Sequence, residues 1–287
     1  MTGLLEQVVL YGRMIRFSHS LFALPFALTS TVLAIEGGVP WPKLGWILVA
    51  MVGARSAAMG FNRLADHAID ARNPRTSSRE LPRGLLTRAE VWAFVIVSSL
   101  ALVGAAAMLN PLCLALSPVA LAIVFGYAYT KRFTALSHVV LGLSLGIAPV
   151  GAWLAIRGRF DPLPIALGLA VLLWVAGFDV IYALQDLEFD KREGLHSLPA
   201  RLGPAPALLL ARVFHAGAVL LLLAVYPLAR LHPIYLAGVG GVAALLVYEH
   251  SLVSPDDLSR VDAAFFNTNA WISVGYLATT VVAVVLG

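Results

Sequence analysis

The chain has 287 residues, 60% of them hydrophobic and only 13% charged, with a mean hydropathy of +0.85. A soluble domain averages about 45–50% apolar and about 25% charged, so this excess is more than a soluble core of this length can bury and must face lipid. The net charge of +4 is the cytoplasmic-loop lysine and arginine of a membrane protein, which leaves no role for nucleic acid, and a single cysteine, Cys113, excludes disulfides and cysteine-held metal within the chain.

In chain order, residues 1–16 read as an interfacial helix rather than a signal peptide, because Glu6 interrupts them and no small-residue cleavage site precedes a polar segment. Nine apolar runs follow, each near the roughly 20 residues that cross a bilayer. They lie at 17–36, 42–65, 90–109, 112–130, 134–156, 162–186, 205–226, 231–250 and 268–286. The pattern predicts an all-α, polytopic membrane protein: one membrane-embedded domain over 1–287, a nine-transmembrane-helix bundle around a central cavity. The polar breaks are short except at 66–89 and 187–204. Fourteen of the lysines and arginines fall at the N-terminus or in even-numbered loops, against four in odd-numbered ones, with Arg55 and Arg212 inside spans. The positive-inside rule then places both long breaks on the cytoplasmic side of a prokaryotic plasma membrane.

The second run leads into Asn62, Asp66 and Asp70, spaced i, i+4, i+8, so a helix projects them from one face. The sixth leads into Asp179, Asp186 and Asp190, spaced i, i+7, i+11, which an unbroken helix also keeps on one face, with Tyr182 beside them. A carboxylate near the membrane core costs roughly 2.5–3.5 kcal/mol on the insertion scale. Two same-side acidic clusters in a chain poor in acids therefore call for a shared cation. Hard oxygen ligands suit Mg²⁺, which is usually completed by water and substrate phosphates. Mg²⁺ there can stabilise charge on a departing diphosphate. The competing reading is solvated helix ends paired with nearby arginines; a cation-coupled transporter is the rival from another functional class.

At these residues the chain resembles the UbiA superfamily of intramembrane aromatic prenyltransferases. Asn62, Asp66 and Asp70 match its N-D-x-x-D-x-x-x-D motif, with Arg63 where the family has Asp, so the first motif carries one carboxylate fewer. Asp186 and Asp190 match its D-x-x-x-D motif. The stretch Arg75 to Gly84 resembles R-T-x-x-R-P-L-P-x-G with Glu80 in place of Pro, and Tyr127 to Lys131 resembles Y-x-x-x-K. The resemblance implies Mg²⁺ on Asn62, Asp66, Asp70, Asp186 and Asp190, with Asp66, Asp186 and Asp190 catalytic; Asp179 joins them as a catalytic candidate because a nearby carboxylate, Asp186 or Asp179, must take the ring proton. It implies a polyprenyl diphosphate donor reaching the site from membrane lipid, gripped with the help of Asn62, Lys131, Tyr127, Arg79 and Arg83.

The likeness is greatest to the 4-hydroxybenzoate polyprenyltransferase branch. Within it, Phe22 to Leu28, Asn73 to Thr76 and Gly194 to Arg201 resemble a subgroup tied to futalosine-route menaquinone synthesis. The aromatic acid acceptor is thus 4-hydroxybenzoate or 1,4-dihydroxy-6-naphthoate. Arg55 sits seven residues before Asn62 on the same helical face, where it can hold the acceptor's carboxylate or pair with Asp179; Arg16 is a second candidate for substrate. Tyr182 is placed with the substrates by its position beside the second motif. His138 and His215 read as structural polar groups, His19 as a residue of the cavity mouth, and the run Gly53 to Gly60 as a close helix-packing face.

Overall fold

The computed structural model describes residues 4–15 and 20–287; Arg16 and His19 lie outside the described residues. Helices dominate: α1 Leu4–Met14, α2 Ser20–Ala34, α3 Trp41–Arg72, α4 Arg88–Leu109, α5 Pro111–Thr130, α6 Ser137–Arg157, α7 Pro162–Ala183, α8 Leu187–Glu193, α9 Leu198–Leu202, α10 Pro204–Ala229, α11 Ile234–Ser251, α12 Val261–Ala263 and α13 Asn269–Leu286. Among the described residues extended structure is limited to one isolated bridge, Ser254 to Asp257. Helices satisfy every backbone donor and acceptor within the segment, as a lipid environment demands.

Among the described residues eight helices are long and apolar enough to cross a membrane. The first expected span, 17–36, corresponds to α2, a shorter apolar helix of 15 residues, so the count of nine full-length spans is not reproduced among the described residues. The expected second span stopped at residue 65, yet α3 runs on to Arg72. Charged side chains end the apolar run without ending the helix.

The chain forms two compact units, one holding α1 and residues 42–129, the other residues 21–41 and 130–287. In the first, Met14, Ile15, Leu64, Leu81, Leu86, Val91 and Val95 form the core. A Cβ added at Gly53 would stand 2.8 Å from the Ser98 carbonyl, and one at Gly60 2.8 Å from Val95 Cγ2, so the small-residue face of α3 does pack closely on α4. A capping box starts α4: Thr87 Oγ1 accepts the Glu90 N–H at 3.2 Å, and Glu90 accepts the Thr87 N–H at 2.7 Å. At the start of α5, the Asn110 side chain accepts the N–H of Cys113, whose thiol is half-buried and free.

In the second unit α7 is the central helix: 61% of its most apolar window is buried, against 17% for α5. It packs on α6 through glycines, since a Cβ at Gly146 would lie 2.5 Å from the Gly168 carbonyl. On its other side α10 places His215 against Gly177. His215 bridges the Trp174 carbonyl at 3.1 Å and His250 at 3.0 Å, which agrees with its reading as a structural group. Trp174 Nε1 donates to Asn269 Oδ1 at 2.7 Å, and Asn269 donates to Glu249 at 3.3 Å, so the polar atoms of this fully buried group are largely paired with one another. Beyond α6, the Asp161 carboxyl is held below the usual carboxylate range by the Trp153 indole N–H and, secondarily, by Arg159.

Candidate active site

In the first unit one uninterrupted helix carries Asn62, Asp66 and Asp70, as the spacing predicts. Asn62 Nδ2 donates to Asp66 Oδ2 at 3.3 Å, which leaves the amide oxygen of Asn62 as its remaining acceptor. Asp66 is 2% exposed and Asp70 4%. Asp70 is clamped from the loop that follows: Arg79 Nη1 donates to both of its oxygens at 2.8 Å, and Thr76 donates to its backbone carbonyl at 3.1 Å. Arg63, buried at the position where the family has an acid, approaches Asp70 to 4.0 Å and donates to the Met14 carbonyl at 3.3 Å. The protein itself thus supplies the countercharge for Asp70, the last acid of this motif.

The second motif departs from the helix assumed for it. Leu184–Asp186 is a 3-10 turn between α7 and α8. Three residues at about 120° rather than about 100° turn the later side chains by roughly 60°. The single unbroken α-helix is thus interrupted, while Asp179, Asp186 and Asp190 stay within about 80° of one another around the axis. Asp179 bonds His138 Nδ1 at 2.7 Å. Asp190, 9% exposed, has Ser197, Asp186 and Lys131 close enough to act on its carboxyl group. Gly194, at φ 67°, ends α8 in the left-handed region and lets the Leu195 N–H return to the Asp190 carbonyl at 2.8 Å, which brings Ser197 alongside.

The other expected residues fall as follows. Arg55 is partly buried in α3, in register with Asn62. Arg83 is exposed, its N–H on the Arg79 carbonyl. Tyr127 is partly buried in α5, and Lys131, just beyond it, accepts the His196 N–H at 2.7 Å through its carbonyl. Tyr182 stacks on Phe265 with ring centroids 4.2 Å apart. Neither His138 nor Ser197 was singled out for the site from sequence. Both reach it through contacts that no local pattern encodes; only the Ser197-Leu198-Pro199 start of a short helix could have hinted at a cap.

Among the described residues no three His, Cys, Asp or Glu side chains converge to enclose a metal. Each motif instead offers one or two carboxylates with amide or hydroxyl neighbours. That is an all-oxygen, partial shell of the kind Mg²⁺ occupies when water and phosphate complete it, so the donor set fits this ion.

Membrane spans that end in such acidic clusters define a polytopic α-helical membrane protein. The chain matches the UbiA prenyltransferase family over residues 23–272 and belongs to it; it is a membrane-embedded prenyltransferase. A 4-hydroxybenzoate octaprenyltransferase of Aeromonas salmonicida is 32% identical over 236 residues, 81% of either chain. One of Cupriavidus necator is 29% identical over 98% of this chain and 99% of its own. Among solved structures, the apo UbiA homologue of Aeropyrum pernix is 34% identical with a TM-score of 0.83, covering 92% of this chain and 97% of its own. A UbiA homologue of Archaeoglobus fulgidus bound to DMAPP and Mg²⁺ shares the fold, at 23% identity, a TM-score of 0.76, and coverage of 96% and 99%.

Proposed function

We propose that the protein transfers a polyprenyl group from an isoprenyl diphosphate to 4-hydroxybenzoate in quinone biosynthesis, at the cytoplasmic side of a prokaryotic inner membrane. The observation that carries the reading is the pair of acidic clusters at the ends of α3 and α7–α8, in which Asp66, Asp70 and Asp190 are buried. Relatives named for this reaction, similar along most of their length, support it.

Mg²⁺, when bound, supplies the positive charge that lets the diphosphate leave with the bonding electron pair. Asn62, Asp66, Asp70, Asp186 and Asp190 are the residues that would hold it. Lys131, Arg79 and Arg83 bind diphosphate oxygens, with Tyr127 beside the Lys131 segment. Arg55 and Arg16 hold the acceptor's carboxylate, and Tyr182 borders the ring. The allylic C–O bond breaks, a ring carbon forms the new C–C bond, and the ring C–H gives its proton to a carboxylate, for which Asp179 is best placed because it is not one of the metal ligands.

A second acceptor, 1,4-dihydroxy-6-naphthoate, is favoured by one observation. The segment Gly194 to Arg201, which resembles the naphthoate subgroup, contacts Lys131 and Asp190 directly. Purified protein with Mg²⁺, a long-chain polyprenyl diphosphate and both acids in competition is expected to release pyrophosphate and prenylate one acid preferentially. Asp66→Ala and Asp186→Ala are each expected to lower turnover at least 100-fold while the protein stays folded. Near-normal turnover in either would overturn the metal assignment. A transporter would release no pyrophosphate.

A further inference from the structure

We propose that His138 is the positioning residue for Asp179, and that the segment His196-Ser197-Leu198 locks this pair to the second acidic motif. The inference deepens the reading above and rests on Asp179 as proton acceptor.

Direction follows from the hydrogen bonds. The Leu198 amide can only donate, and it reaches His138 Nε2 at 3.2 Å. Nε2 is therefore the unprotonated nitrogen, and the ring hydrogen sits on Nδ1, 2.7 Å from Asp179 Oδ2. A backbone N–H thus selects the tautomer that donates to the carboxylate. His138 is 3% exposed and cannot swing away, while the Asp179 side chain keeps 18% of its surface open. One carboxylate oxygen is fixed by the ring, and the group remains accessible for the proton it must take.

The clip extends further. Ser197 Oγ accepts the Ala200 N–H at 3.3 Å and stands close enough to Asp190 to act on its carboxylate. His196 N–H holds the Lys131 carbonyl at 2.7 Å, and the adjoining Leu195 N–H holds the Asp190 carbonyl at 2.8 Å. Residues 195–198 therefore tie the main chain at Lys131 and at Asp190 and, through His138, the carboxylate of Asp179. A metal ligand and the proton acceptor are held in fixed register on one short stretch of chain.

The test uses the full-length enzyme with Mg²⁺ and the preferred acid. His138→Asn keeps an N–H donor near the Nδ1 position, whereas His138→Gln keeps a polar group only near Nε2. Loss of one hydrogen bond to a charged group corresponds to a rate effect of about 10–100-fold. His138→Gln and His138→Leu are expected to lower kcat by that factor, with KM for both substrates within about twofold, and His138→Asn to recover most of it. Equal losses in Asn and Gln, an unchanged kcat in Leu, or a loss confined to KM would each overturn the proposal. Asp179→Asn separates the two levels: full activity there refutes Asp179 as acceptor, while inactivity there with an active His138→Leu refutes only the role of His138. A readout independent of turnover is ¹⁵N-histidine solid-state NMR in liposomes. One histidine is expected in the Nδ1–H tautomer, absent in His138→Asn and shifted in Asp179→Asn; its absence from the wild type would overturn the proposal.

Discussion

Asp70 shows how one side chain's environment alters what its motif can do. The carboxylate lies between Arg79 at 2.8 Å and Arg63 at 4.0 Å, almost wholly out of solvent. Removing one partner of a buried ion pair leaves an uncompensated charge, at a cost of about 3 kcal/mol. Arg79→Ala is expected to destabilise the protein by about that much in detergent-phase thermal unfolding, and the double variant Arg79→Ala/Asp70→Asn to regain most of it. An additive double variant would show that the pair is not coupled. Asn62, Asp66 and Asp70 were legible from their i, i+4, i+8 spacing because one helix carries all three. The Arg79 clamp was not, since it depends on how the turns of residues 73–86 fold back. His138 was hidden for a related reason: its partner is 41 residues away, and a lone histidine at a helix start carries no periodic signal.

At the scale of elements, glycines set how closely helices approach. Gly146 and Gly168 face each other across α6 and α7 with no room for a methyl group, whereas a Cβ at Gly126 in α5 would meet nothing within 4 Å. Gly146→Ala is expected to cost about 1–3 kcal/mol by forcing α6 and α7 apart. Gly126→Ala is expected to be neutral or stabilising by up to about 1 kcal/mol, because alanine is the better helix former. Apparent unfolding midpoints of the two variants in the same detergent check the contrast. Positions of apolar helices were readable because lipid demands some 20 apolar residues per crossing. Their ends were less so, as α3 shows by continuing seven residues past its apolar run. The 3-10 turn at Leu184–Asp186, between Asp179 and the D-x-x-x-D motif, was invisible to a fixed 100° periodicity.

For the molecule as a whole, composition settled the membrane class, and family membership is carried by residues 23–272, which run through both compact units. Side chains such as Ile96, Val97, Leu220 and Val285 stay exposed, the surface a lipid solvent requires and water penalises. Orientation rests on the lysine and arginine asymmetry alone, and the chain carries its own means of checking it. Cys113 is its only thiol, and it sits one turn inside α5, next to the short Asn110 connection at the end opposite Thr130 and Lys131. The natural protein is thus already a single-site reporter. An impermeant maleimide is expected to label it in right-side-out spheroplasts and to leave it unmodified in sealed inverted vesicles. The reverse pattern would turn the acidic helix ends to the outside of the cell, away from any cytosolic pool of diphosphate.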